Sequence, residues 1–172
     1  DHQDAAALFV FCHIFVNSQL SSRLGQEKRE KNALVYGFGS DLDLDAFKDV
    51  GAFTISANYT AGKSAQVSQV VHKVLTDLLT TGVTEQEVEA AKADIMKQRV
   101  TSLEDERNVH RMLNSQLERH KKMASRAVRD QEIAKLSKAD VDAVVIKYIQ
   151  LEQLLDVMAD QYGKAQKPCD FV

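Results

Sequence analysis

The hydrophobic period of this chain changes twice within its first 80 residues, and that change constrains the fold more than any single motif. From Ala6 onward, Phe9, Val10, His13, Ile14, Asn17, Leu20, Ser21 and Leu24 recur at helical spacing on one face. Asp4 is placed to cap this helix, which should fade near Arg29. From residue 34 the period is two. Leu34, Tyr36, Phe38, Ser40, Leu42 and Leu44 share one side, and Gly37 and Gly39 take the other, where something could approach the backbone closely. After the linker 45–50 the alternation resumes. Phe53, Ile55, Ala57 and Tyr59 face one way, and Thr54, Ser56, Asn58 and Thr60 the other. Two such runs in succession predict an antiparallel hairpin. The helical period then returns, with Val67, Val70, Val71, Val74, Leu75, Leu78 and Leu79 in unbroken register.

The second half is marked by helix boundaries. Gly82 is placed to end the preceding helix. Thr84 and Glu87 form the capping-box pattern for the next, which carries Val88, Ala91 and Ile95 and continues to Leu103, His110, Leu113 and Leu117. Its register slips between Thr101 and Asp105, so a kink or break is expected there. Ser137 with Asp140 opens a short helix carrying Val141, Val144, Val145 and Tyr148. Residues 153–162 read as a closing strand, and 164–172 as a loose tail holding the only proline. The expected order is α-β-β-α-α-α-β. That order predicts an α+β domain, a mainly antiparallel sheet with helices packed on one face, over residues 1–172. The other sheet face is less apolar and suits solvent or a partner domain.

Composition excludes several classes. The chain is 44% hydrophobic and 27% charged with a net charge of −3, ordinary for a globular domain. Acids and bases alternate along the charged stretch 102–122, which fits a solvated helix face rather than a nucleic-acid interface. The longest apolar run, Ala5 to Val16, is broken by Cys12 and His13 and is too short to span a membrane. Two cysteines, Cys12 and Cys169, are too few for a disulfide framework, and the sequence leaves open whether they pair. The first residue is Asp1 rather than Met, which suggests a fragment of a longer chain.

No familiar catalytic motif is present. There is no H-x-x-E-H, H-E-x-x-H, phosphate-binding glycine loop or G-x-S-x-G. The five histidines, at 2, 13, 72, 110 and 120, have no second ligand at metal-binding spacing. His13 and His110 read as structural histidines on or near apolar helix faces. Asp41, Asp43 and Asp45 alternate with apolar residues and line an exposed strand face, without the glycine and terminal Glu of a calcium loop. Arg29 and Tyr36 flank the helix-to-strand junction. Spacing alone is satisfied by a helix-end cation and a strand aromatic in the core.

The segment Ser22-Arg23-Leu24, then Arg29-Glu30, then Leu34 and Tyr36 resembles the second-domain signature of the pitrilysin/insulinase-type M16 zinc peptidases. The stretches 51–98 and 136–165 follow the order of the same family, so the resemblance spans about residues 4–165. One position departs from it. The glycine usual before the Leu-x-Tyr triplet is Ala33 here, preceded by Asn32, a residue tolerant of left-handed backbone.

The resemblance implies the C-terminal, metal-free half of a zinc metalloendopeptidase. It implies no cofactor in this chain and zinc in a missing N-terminal half. It implies peptide or unfolded-protein substrates, and as partner the N-terminal M16 domain of the same chain or of another subunit. Arg29 would be the substrate-binding donor and Tyr36 the catalytic oxyanion donor. Bacterial members of the family imply a periplasmic location. Two other readings stay open: a non-catalytic M16-like scaffold or partner subunit, and an unrelated α+β binding domain.

Overall fold

The structure, a computed structural model, describes residues 4–18, 22–30, 35–44, 51–118 and 124–160, and of residues 28–30 the backbone alone. In order they form α1 (Ala5–Cys12), a π-helical turn (His13–Asn17), α2 (Arg23–Glu30), β1 (Val35–Leu44) and β2 (Gly51–Tyr59). Then come α3 (Ser64–Thr81), α4 (Glu85–Thr101), α5 (Glu106–Glu118), α6 (Ala124–Lys135), α7 (Lys138–Tyr148) and a 3-10 turn (Leu151–Gln153). The architecture is α+β: an antiparallel hairpin of β1 and β2 lies against a helical layer.

The first helical pattern resolves into three pieces rather than one helix. Along α1, Ala6, Ala7, Leu8, Val10, Phe11 and Cys12 are buried, and His13, Ile14, Phe15 and Val16 continue the burial. The expected single face was too narrow, because this helix is enclosed on nearly every side. Phe9, expected on the buried face, is half-exposed under the Arg99 guanidinium, 5.9 Å from the ring centroid. The helix then widens. The Ser18 N–H donates to the His13 carbonyl, five residues back, at 3.0 Å, the bond that defines a π turn. A new helix starts at Ser22, whose Oγ accepts from the Gly25 N–H at 3.2 Å. Asp4 does not cap α1 with its side chain. Its carboxylate accepts instead from Lys147 Nζ at 2.6 Å and Tyr148 OH at 2.8 Å, joining the start of α1 to the end of α7.

The core forms where α1 meets the hairpin and the flanking helices. Phe11 and Phe15 stack at 5.6 Å, and Phe53 of β2 closes on both, at 5.6 and 6.3 Å. Val70, Val74, Leu75 and Leu78 of α3, Val88, Ala91 and Ile95 of α4, Ile133 of α6, and Val141 and Val145 of α7 complete the cluster. The second strand alternates as its sequence does: Phe53 and Ile55 pack on the core, and Thr54, Ser56 and Asn58 are exposed.

Helix boundaries in the second half follow their local signals. Thr84 Oγ1 accepts from the Glu87 N–H at 3.1 Å and Glu87 Oε2 accepts from the Thr84 N–H at 2.7 Å, a complete capping box for α4. Ser137 and Asp140 repeat the device for α7. The register slip is a true break: α4 ends at Thr101 and α5 begins at Glu106. The apolar face assigned beyond the break is not buried, since Leu103, Leu113 and Leu117 are exposed, as is His110. A separate helix, α6, was not expected; its only fully buried residue is Ile133, so it carries little periodic signal.

Gly82 ends α3 with φ 72° and ψ −175°, a backbone region essentially reserved for glycine. A Cβ there would also lie 2.8 Å from the Asp142 carboxylate, which accepts from the Val83 N–H at 2.8 Å. Gly82→Ala is therefore expected to destabilise the domain by about 1–3 kcal/mol in urea unfolding.

The closing strand expected over 153–162 is not a strand within the described residues. Gln153 ends a 3-10 turn, and 154–160 run on without regular pairing. Two aspartates in this stretch bind α3 and its approach instead. Asp156 accepts from Ser68 Oγ at 2.5 Å and lies 3.1 Å from His72 Nε2. Asp160 accepts from the Gly62 and Ser64 N–H groups at 2.6 and 3.2 Å, where the positive end of α3 favours an anion. Leu155 and Val157, the apolar half of the alternation, are each 86% exposed. The linker 45–50 and the tail 164–172 lie outside the described residues.

Candidate functional site at the helix-to-strand junction

The junction begins with three residues that anchor α2. Ser22 caps it, Leu24 is fully buried in the core, and Arg23 reaches across to the start of α4. From this anchor α2 runs to Glu30 and carries the Arg29 backbone in its last turn. The side chains of Arg29 and Glu30, and the connection 31–34 with Asn32, Ala33 and Leu34, lie outside the described residues.

The strand starts with an irregularity that matters for Tyr36. Val35 pairs with Tyr59 and Gly37 with Asn58, so two neighbouring partners on β2 face three residues on β1. Tyr36 is the extra residue, a β-bulge. One extra residue reverses the alternation on its N-terminal side. Val35 is buried, Phe38 and Leu42 pack on the core, and Tyr36 is 73% exposed. The strict period of two had put Tyr36 on the same side as Phe38. The bulge corrects that assignment and turns the phenol away from the core.

Two glycines follow Tyr36 along the strand. A Cβ on Gly37 would meet nothing within 4 Å, and one on Gly39 would come within 2.9 Å of Ser56 Oγ. Asp41 and Asp43 are exposed further along the strand, as their alternation indicated; Asp45 lies outside the described residues. Behind the strand, Ser40 Oγ donates to Asn17 Oδ1 at 3.0 Å, linking β1 to the π turn.

In the π turn His13 is buried, and its Nε2 stands 3.6 Å from Asp94 Oδ2 of α4, beyond hydrogen-bond reach. Burial lowers the His13 pKa from its ordinary value of 6.5, and Asp94 opposes the shift only in part. A lowered value means that the unfolded chain binds the proton more readily. The stability given by neutral His13 is thus present above about pH 6.5 and lost as the pH falls through the folded value. The fall in melting temperature between pH 7.5 and 5.5 should be smaller in His13→Gln than in the parent. Cys12, next to it, is a buried free thiol, and burial pushes its pKa up to about 12. Cys169 lies outside the described residues.

Among the described residues no three His, Cys, Asp or Glu side chains are grouped to hold a metal. His72 and Asp156 form a pair, with no third such side chain grouped to them among the described residues. Among the described residues, too, no helix is long and apolar enough to cross a membrane.

Known structures share this architecture. The peptidase M16 inactive domain from Pseudomonas fluorescens superposes with a TM-score of 0.72 at 22% identity, covering 87% of this chain and 35% of that one. An inactive peptidase domain from Bordetella parapertussis gives a TM-score of 0.69 at 16% identity, covering 87% of this chain and 80% of that one. In sequence, a protein of Mycobacterium leprae named an uncharacterized zinc protease is 39% identical over 93 residues, 54% of this chain and 20% of the relative. The matched stretch thus spans about a fifth of that curated relative's length. The family model described as the peptidase M16 inactive domain matches residues 1–95, more than half of the chain, and the chain belongs to that family.

Proposed function

We propose that this domain is the metal-free half of a zinc metalloendopeptidase, that it closes a chamber over peptide or unfolded-protein substrates, and that Tyr36 and Arg29 act on the enclosed peptide. The observation that carries the reading is the exposure of Tyr36 at the bulge, on a member of the M16 inactive-domain family. A core aromatic would have been buried there.

In this reading the Tyr36 hydroxyl donates a hydrogen bond to the scissile carbonyl oxygen as it gains negative charge. A phenol is suited to this role because it donates while neutral and its ring is stiff. Arg29, at the end of α2, offers fixed guanidinium donors to a neighbouring peptide carbonyl. Together they orient the peptide and restrict its motion before reaction. Zinc would be held by the N-terminal M16 domain, in the same chain or in a partner subunit.

The test uses the full-length protein and a pool of quenched peptides with zinc supplied. The full-length protein should cleave the pool, and the 172-residue domain alone should neither cleave it nor bind zinc stoichiometrically. Stoichiometric catalytic zinc in the isolated domain would overturn the assignment. An inactive full-length protein would favour the scaffold reading.

A further inference from the structure

Of the signature Ser22-Arg23-Leu24, the cap and the core residue are explained by the helix they start, and Arg23 is not. Its guanidinium leaves the first turn of α2 and grips Glu87 at two points, Nε to Oε1 at 2.8 Å and Nη2 to Oε2 at 2.9 Å. Nη2 also donates to the Gly82 carbonyl at 2.8 Å. The side chains of Arg23 and Glu87 are 19% and 23% exposed, so water competes little for the pair.

Glu87 serves two helices at once. The oxygen that accepts from Arg23 Nη2 also accepts from the Thr84 N–H at 2.7 Å and Thr84 Oγ1 at 3.0 Å. Burial works against this carboxylate, but the Arg23 fork and the Thr84 N–H outweigh it and hold its pKa below the usual range. The carboxylate is therefore an anion fixed at the start of α4, and α2 is fastened to it by its own first residue. One turn on, Lys73 of α3 meets Glu27 at 3.1 Å in a more exposed contact. The chain that leaves α2 is the chain that reaches Val35 and the bulge.

We infer that Arg23, held by Glu87 and the Gly82 carbonyl, is a positioning residue: it fixes the direction of α2 and so the placement of Arg29 and Tyr36 at the junction. The catalytic part of the inference rests on the function proposed above. The geometry needs a guanidinium, because a lysine ammonium is a point charge and cannot hold two carboxylate oxygens and a carbonyl in one plane.

The test is Arg23→Lys in the full-length protein, with amide hydrogen exchange and kinetics measured together. Exchange should accelerate about ten-fold in α2 and the first residues of β1, and stay unchanged in α3 and α7. The kcat should fall about ten- to a hundred-fold with KM little changed, the scale produced by a displacement near 1 Å. In a Tyr36→Phe background the same change should do much less, since it would misplace a donor already removed. If Arg23→Lys does not fold, Glu87→Gln keeps a neutral partner for both helices and should give a weaker form of the same pattern. Three results would overturn the inference: exchange in α2 like that of the parent, acceleration spread equally over α3, α4 and α7, or an unchanged kcat where Tyr36→Phe lowers it. If Tyr36→Phe itself leaves kcat unchanged, the functional reading fails, and the exchange pattern alone decides whether Arg23 fixes the junction.

Discussion

Tyr36→Phe in the full-length protein should lower kcat on the order of 10²-fold and leave KM nearly unchanged. The magnitude is that of removing one donor to a developing oxyanion, about 2.7 kcal/mol. The split follows from timing. A bond made to the carbonyl oxygen only as it becomes charged stabilises the transition state and not the bound substrate. The ring stays, it is 73% exposed, and the bulge is a property of the backbone pairing. A melting temperature measured beside kcat separates a loss of chemistry from a loss of fold. A kcat equal to that of the parent would remove Tyr36 from the chemistry and leave the domain as a lid.

Phe11→Ala should be the most damaging substitution for stability, at about 3–5 kcal/mol in urea unfolding of the 172-residue domain. Phe11 is fully buried and touches Phe15 of its own helical run and Phe53 of β2. Its removal opens a void at the place where α1 holds the hairpin, and neither neighbour can fill it without leaving the other. Domain stabilities are about 5–15 kcal/mol, so the loss would be a large share of the total. Leu117→Ala is the matched control. That side chain is 76% exposed on α5, and its removal should change stability by no more than about 0.5 kcal/mol. Equal effects for the two would mean that the core is not centred on α1.

What could be read from the sequence depended on how local its cause was. Gly82 and the Thr84–Glu87 and Ser137–Asp140 boxes are decided by neighbours within a few residues, and each stands where its pattern put it. The hairpin and the buried face of α3 follow from periodicity alone. The misses have causes distant in sequence. The alternation over 153–162 is real, but Asp156 and Asp160 find partners on Ser68, His72 and the start of α3, and no local pattern reveals those. The enclosure of α1 depends on α4, α6, α7 and the hairpin arriving around it. At the candidate site, Tyr36 could be named from the motif, but its direction could not. The bulge depends on where Tyr59 and Asn58 fall on the partner strand. Arg23 carried a signal as well, since it belongs to the motif, but its role lies in a bond to a residue 64 positions away.

The bulge also makes β1 a strand that counts its residues. Many side-chain exchanges between Val35 and Gly39 would leave the ladder with β2 in place, but a change of length would not. Deleting Val35 would let the strand zip into simple alternation, with Tyr36 opposite Tyr59 and turned to the core side with Phe38. Homologous chains that keep this exposed tyrosine should therefore vary in composition here far more readily than in length, and a single-codon deletion should silence the position more surely than most substitutions.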